Sequence, residues 1–476
     1  MKRRRFMKTL GAGAAAMAMP GATAAPKKKP NILFLFTDDQ TFQSIGSLNN
    51  PAVKTPNIDR LVKNGVTFTH CFNQGSWTGA VCVASRAMLN TGRYIYHARK
   101  DIGGKEGPKV PLWGETMGKA GYDTFMTGKW HNGDAALNKS FKTVGPHGGG
   151  MFGSTPYDGD AYRRPTEGNN TWQPDDETRK GHWRVQDDGS IKHSSKEWAD
   201  ASIDYLENNV SKSDNPFFMY VAFHAPHDPR QSPKKYLDMY PLDDIEIPPN
   251  YISEHPFDQG ERNTLRDEIL APFPRTEHIA KVHLQEYYAI ITHADEQIGR
   301  ILDALEASGE MDNTIIYFSA DHGLAVGQHG LMGKQNQYEH SIRMPMVICG
   351  PGIAKGEQID EMVYLQSLYA TTCDMAGIET PDTVEFSSLL PLLEGKRFSH
   401  NNAIFGSYVD YQRMVRTNDY KLIIYPKVNE IQLFNIKNDP WEMYDLSDDP
   451  NNQIVIERLK RRLRELQKMV GDDLAI

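Results

Sequence analysis

Three apolar runs in this chain stop abruptly at ionisable residues. Asn31 to Phe36 (NILFLF) meets Thr37-Asp38-Asp39. Pro216 to Phe223 (PFFMYVAF) meets His224-Ala225-Pro226-His227-Asp228. Thr314 to Phe318 meets Ser319-Ala320-Asp321-His322-Gly323. Short continuous runs rich in branched and aromatic residues read as strands buried on both faces, the first of them central in a parallel sheet. A fourth run, Thr124 to Thr127, leads into Gly128-Lys129-Trp130-His131. Pro56 to Val62 reads as a helix opened by proline. Glu277 to Leu305 carries a long helical pattern. Strands alternating with helices place the chain in the α/β class. Ligands in open α/β sheets collect beyond the carboxyl ends of the strands. The polar clusters above, distant in sequence, are therefore expected to converge.

The pattern changes twice. From about Gly145 to Ser195, glycine, tryptophan, aspartate and arginine dominate, which reads as a long loop or insertion over one face. From Asn402, short strand-like pieces follow (Gln412 to Arg416, Tyr420 to Tyr425, Ile431 to Phe434), then a charged helix from Ile454 to Met469. Three units are expected: a leader over residues 1–25, a main α/β unit over 26–400, and a smaller antiparallel sheet with a helix over 401–476.

Composition narrows the chemistry. The chain has 476 residues, 39% of them hydrophobic, and a formal net charge of -8, which argues against a nucleic-acid binder. Four cysteines, Cys71, Cys82, Cys349 and Cys373, make no disulfide framework and lack the spacing of a zinc site. The leader has a basic head from Lys2 to Lys8, an Ala/Gly-rich stretch and the small residues Ala22-Thr23-Ala24. It reads as a removed export signal. It is too short and too weakly apolar for stable membrane insertion. Its RRRFMK portion resembles a twin-arginine signal, which implies the twin-arginine export machinery as a partner and a periplasmic or secreted product.

Asp38, Asp39, Asp321 and His322 together suggest one divalent cation at the strand ends. Oxygen-rich donors suit calcium or magnesium better than zinc. Lys129, His131, His227 and Lys334 would line an anion pocket beside it. Arg86, one helical turn beyond Cys82, adds a forked donor, and the same helix offers free amides at its start. Sulfate and phosphate both remain open as the anion at this point.

Cys82-Val83-Ala84-Ser85-Arg86, followed by Leu89-Asn90-Thr91-Gly92-Arg93, resembles the maturation motif of the type I sulfatases in the alkaline-phosphatase-like superfamily. Alanine stands at position 84 where proline is commoner. The resemblance implies the superfamily's mixed central sheet flanked by helices. It implies that a formylglycine-generating enzyme or a radical-type maturase converts Cys82 to Cα-formylglycine. The hydrated aldehyde would attack sulfur and later expel sulfate. Asp38, Asp39, Asp321 and His322, completed by modified Cys82, match the metal ligands, usually around calcium. Arg86, Lys129, His131, His227 and Lys334 match the pocket residues, with His227 or Lys334 as general acid and His227 preferred. His224 and His329 rank below them. Hydrolysis of phosphonate monoesters or phosphodiesters with the same nucleophile is the alternative reaction. A catalytically inactive glycan-binding protein is the alternative of another kind.

An exported enzyme of this kind points to a sulfated polysaccharide or oligosaccharide. Arg99, Arg164, Trp172, His182 and Trp183 are the candidate sugar contacts, because aromatic rings and guanidinium groups suit sugar faces and neighbouring sulfates.

Overall fold

A computed structural model of the chain describes residues 29–476, apart from 49, 151–174, 176–180, 187 and 261–264. The expected leader, and the candidate contacts Arg164 and Trp172, lie outside the described residues. Among the described residues no helix is long and apolar enough to cross a membrane.

The core is a nine-stranded mixed sheet. Asn31–Thr37 lies at its centre, parallel to Phe217–Ala222 on one side and to Thr314–Ala320 on the other. Asp123–Lys129 extends the first side and Thr143–Gly148 ends it, both parallel. Met346–Cys349 pairs antiparallel with Thr314–Ala320 and with Gly65–Phe72, which also takes Glu357–Tyr364 and Arg343–Met344 as neighbours. The apolar runs are strands for the reason their composition gives: every residue of Asn31–Thr37 and of Phe217–Ala222 is buried.

Side chains alternate across the sheet, so each face has its own core. One gathers Ile32, Phe34, Phe36, Trp113 and Tyr220. The other packs Leu33, Leu35, Trp198 and Phe318 against Ile298, Ile301 and Leu302 of the helix Glu277–Ala307. Thr276 caps that helix through a bond from the Ile279 amide.

A second sheet of five strands holds Ile404–Tyr408, Gln412–Arg416, Lys421–Tyr425 and Glu430–Phe434, antiparallel in chain order. Its fifth strand is Gly75–Ser76, which lies far earlier in the chain and pairs parallel with Ile404–Tyr408. The helix Gln453–Val470 covers one face through Ile456, Leu459, Leu463 and Leu466. The smaller sheet is thus not assembled from residues after 400 alone. It is sewn to the segment leading into Cys82.

Candidate active site

Four strands deliver the site. Asp38 and Asp39 follow Asn31–Thr37, Lys129 ends Asp123–Lys129, His227 follows Phe217–Ala222, and Asp321 and His322 follow Thr314–Ala320. All six are buried. Cys82 enters from the side, in the first turn of the helix Val81–Thr91, which has no side-chain cap. Backbone amides in such a first turn lack intrahelical partners and carry the positive end of the helix dipole.

Arg86, fully buried on the same helix, organises the acids. Its Nη2 donates to Asp38 at 2.7 Å, its Nε to Asp321 at 3.2 Å, and its Nη1 to the Lys129 carbonyl at 2.7 Å. The guanidinium also lies 4.7 Å from the Phe36 ring centroid. Lys129 reaches Asp38 at 2.8 Å and the Cys82 sulfur at 3.5 Å. His131 Nδ1 lies 3.4 Å from that sulfur. Lys334 donates to both carboxylate oxygens of Asp39, at 2.8 and 2.7 Å. Nδ1 of His322 is 3.3 Å from Asp39, and Nε2 of His227 is 3.9 Å from it. Cys82, Arg86, Lys129, His131, His227, Lys334 and the four expected metal ligands therefore form one connected cluster.

Two backbones are bent to achieve this. Asp39 and His131 both have φ of 69°, a left-handed conformation that costs a non-glycine residue energy and gathers at functional sites.

The electrostatics follow from burial among fixed charges. Burial alone would raise the Asp38 carboxyl, but Lys129 and Arg86 outweigh it and hold Asp38 well below the usual carboxylate range. Asp39 is raised by burial against the pull of Lys334. Burial, with Asp38 nearby, pushes Asp321 up to about 7. For His322 burial works downward, yet Asp321 and Asp39 carry it up to about 9. The Cys82 thiol, which burial would raise, is brought well below its ordinary value with Lys129 as the main opposing influence.

The donor set fits a cation. Ligand atoms of Asp38, Cys82, Asp321 and His322 all lie within 4.8 Å of one another. That separation matches opposite ligands on an ion with bonds of about 2.4 Å. Among the described residues, Asp38 Oδ1 is buried without a hydrogen-bond partner. Asp39 groups instead with Asp38 and His227.

Several supports carry no local signal in the sequence. Asn73 and Ser85 donate to the Asp321 carbonyl at 2.8 and 2.7 Å, and Tyr287 donates to the Asp39 carbonyl at 2.6 Å. The expected sugar contacts fare differently. His182 and Trp183 are 2% and 7% exposed, and His182 turns inward onto the His227 main chain at 3.0 Å, so it offers no face to a sugar. Arg99 is exposed, but in a groove with Trp77 and Tyr96 outside the cluster. His329 stacks on Tyr338 at 4.0 Å and bonds the Glu442 carbonyl, away from the acids.

Comparison with known proteins gives the family. The family model Sulfatase matches residues 30–378, and the model N-sulphoglucosamine sulphohydrolase, C-terminal, matches residues 327–469. An arylsulfatase of Clostridium perfringens is 29% identical, covering 94% of each chain. An N-acetylglucosamine-6-O-sulfatase of Bacteroides thetaiotaomicron is 26% identical over 94% of this chain and 88% of its own. A protein solved with its substrate D-glucosamine-2-N,6-O-disulfate shares the fold at a TM-score of 0.72, with 24% identity over 94% of this chain and 99% of the other. The chain belongs to the sulfatase family, the sulfuric ester hydrolases of the alkaline-phosphatase-like superfamily.

Proposed function

We propose that this sulfatase removes sulfate from a sulfated polysaccharide or oligosaccharide, with a nucleophile made by converting Cys82 to Cα-formylglycine. The carrying observation is the meeting of opposite charges at position 82: Lys129 and His131 lie within 3.5 Å of its sulfur, inside the Asp38, Asp321 and His322 group. The glycan-directed relatives support the substrate class. A hydrated formylglycine supplies one hydroxyl that attacks sulfur and a second whose deprotonation releases sulfate. A divalent cation, with calcium the best match and magnesium the alternative, supplies the charge that favours an ionised oxygen there.

The residues divide the remaining work. Asp38, Asp39, Asp321 and His322 would hold the cation together with the modified side chain of residue 82. Arg86 offsets the charge of Asp38 and Asp321. Lys129 and Lys334 face the sulfate oxygens as they gain charge. His131 takes the proton of the hydrated side chain. His227 gives a proton to the departing sugar oxygen. Burial opposes its charge, but Asp228, 3.2 Å from Nδ1, is the leading influence that raises its pKa. Lys334, fully engaged with Asp39, is the second choice. The leader's twin-arginine resemblance supports a periplasmic or secreted location for this activity.

The test combines four measurements. Co-expression with a maturase should give a peptide mass showing conversion at Cys82, and Cys82→Ala should lower sulfate release by about 10³-fold or more while leaving the fold intact. A panel of defined sulfated oligosaccharides, with phosphonate and phosphodiester controls, should release sulfate only. Chelation should abolish turnover and added calcium restore it. An unmodified thiol in fully active enzyme, or preferred cleavage of the phosphorus esters, would reject the reading.

A further inference from the structure

The segment from His227 to Gln231 is gripped at both ends by histidines. Nε2 of His182 lies 3.0 Å from the His227 carbonyl oxygen, and Nε2 of His193 lies 2.9 Å from that of Gln231. A carbonyl oxygen only accepts, so both Nε2 atoms carry the proton. The second ring nitrogens accept. Nδ1 of His193 takes the Ser195 amide at 3.1 Å, and Nδ1 of His182 takes the Ser194 hydroxyl at 2.9 Å. Each ring is thereby neutral and fixed in one tautomer. Burial agrees, holding His182 down at about 4 and His193 well below its ordinary value.

The two rings stack with centroids 5.1 Å apart and planes 6° apart. The Ser194 amide donates to the His182 carbonyl at 2.8 Å, and the His182 amide donates to Gln231 Oε1 at 2.7 Å. Gly181 makes the last contact possible. Its φ is 149°, and a Cβ there would lie 2.2 Å from the same Gln231 oxygen.

We propose that His182 and His193 form a neutral two-histidine clasp on the His227–Gln231 segment, and that His182 is a positioning residue that aims His227 at the leaving oxygen. The proposal rests on His227 as proton donor. Proton donation matters most when the departing alcohol is a poor leaving group, and little for a nitrophenolate. A misaimed His227 therefore penalises a sugar sulfate more than an aryl sulfate, whereas general loosening of the site penalises both alike.

The experiment compares kcat and KM of mature enzyme on p-nitrophenyl sulfate and on a defined sugar sulfate. His182→Met removes the donor, His182→Gln retains an N–H at the Nε2 position, and Ser194→Ala only frees the tautomer. His182→Met should lose at least about tenfold more kcat on the sugar sulfate, out of the roughly 10²–10⁴-fold that a placed acid contributes, with KM nearly unchanged. His182→Gln should recover most of the loss and Ser194→Ala should fall between. If His182→Met does not fold, the Gln and Ala variants carry the same comparison. Equal losses on both substrates would overturn the clasp. His227→Gln separates the failures: if it splits the two substrates while the His182 variants do not, the clasp alone is wrong. If it does not split them, the donor assignment falls and the clasp falls with it.

Discussion

At the scale of single residues, Arg86 carries the largest structural burden. It is fully buried, binds Asp38 and Asp321 together, and caps the Lys129 carbonyl. Removing one partner of a buried ionic network leaves uncompensated charge, which costs about 3–5 kcal/mol. Arg86→Ala is expected to lower the urea-unfolding free energy by that amount, as well as to abolish turnover. Arg86→Lys keeps the charge but not the fork, and is expected to lose most of both. Full stability in the lysine variant would mean that the directional bonds matter less than their distances imply. The acids and lysines here were legible because each ends a strand or sits in a recognisable motif. Asn73 and Tyr287 were not, because their role depends on main-chain oxygens hundreds of positions away in the chain. His182 was misread for a related reason. A polar aromatic residue in a polar stretch looks solvent-facing until its partners Ser194 and the His227 carbonyl are in place.

At the scale of elements, the buried histidines between Trp183–Val185, Ile191–His193 and the long Glu277–Ala307 helix tie stability to pH. His182 is held down at about 4 and His293 at about 3, in both cases chiefly by burial. The sign is fixed by where protons bind. Below the ordinary histidine value of about 6.5, the unfolded chain takes up protons that the folded one refuses. The stability these two groups contribute is therefore full above about pH 6.5 and falls as the pH drops toward 4, by on the order of 3 kcal/mol for each. Urea midpoints measured at about pH 7.5 and about pH 5 should show the loss. His293→Phe should reduce it, since among the described residues Nδ1 of His293 has no hydrogen-bond partner to lose. The same pH dependence in His293→Phe as in the wild type would contradict this. The clearest elements in the sequence were those with continuous apolar runs, such as Asn31–Thr37, and the long periodic helix. Gly65–Phe72 and Glu357–Tyr364 went unread because GVTFTHCF and EQIDEMVY mix polar residues into strands whose partners are remote. Gly75–Ser76 is too short to carry any periodicity.

At the scale of the whole molecule, that two-residue strand joins the sheets. Gly75 has φ of 82°, and a Cβ there would lie 1.9 Å from the Ser407 carbonyl oxygen. Gly75→Ala is expected to push Ile404–Tyr408 away, lowering the melting temperature and turnover together. A variant with wild-type melting and wild-type kcat would show that the two sheets are mechanically independent. The short antiparallel strands after residue 402 were readable from their local pattern, whereas the seam to Gly75–Ser76 was not, since parallel pairing of distant strands leaves no trace in local pattern. The seam bears on timing as well. Cys82 is only 1% exposed once folding is complete, and its lead-in is pinned by a strand that leaves the ribosome more than three hundred residues later. If Cys82 is converted as proposed, the maturase would have to reach it while the chain is still being made or before it closes, so translation speed and maturase abundance, rather than affinity for the finished protein, would set the fraction of molecules that become active.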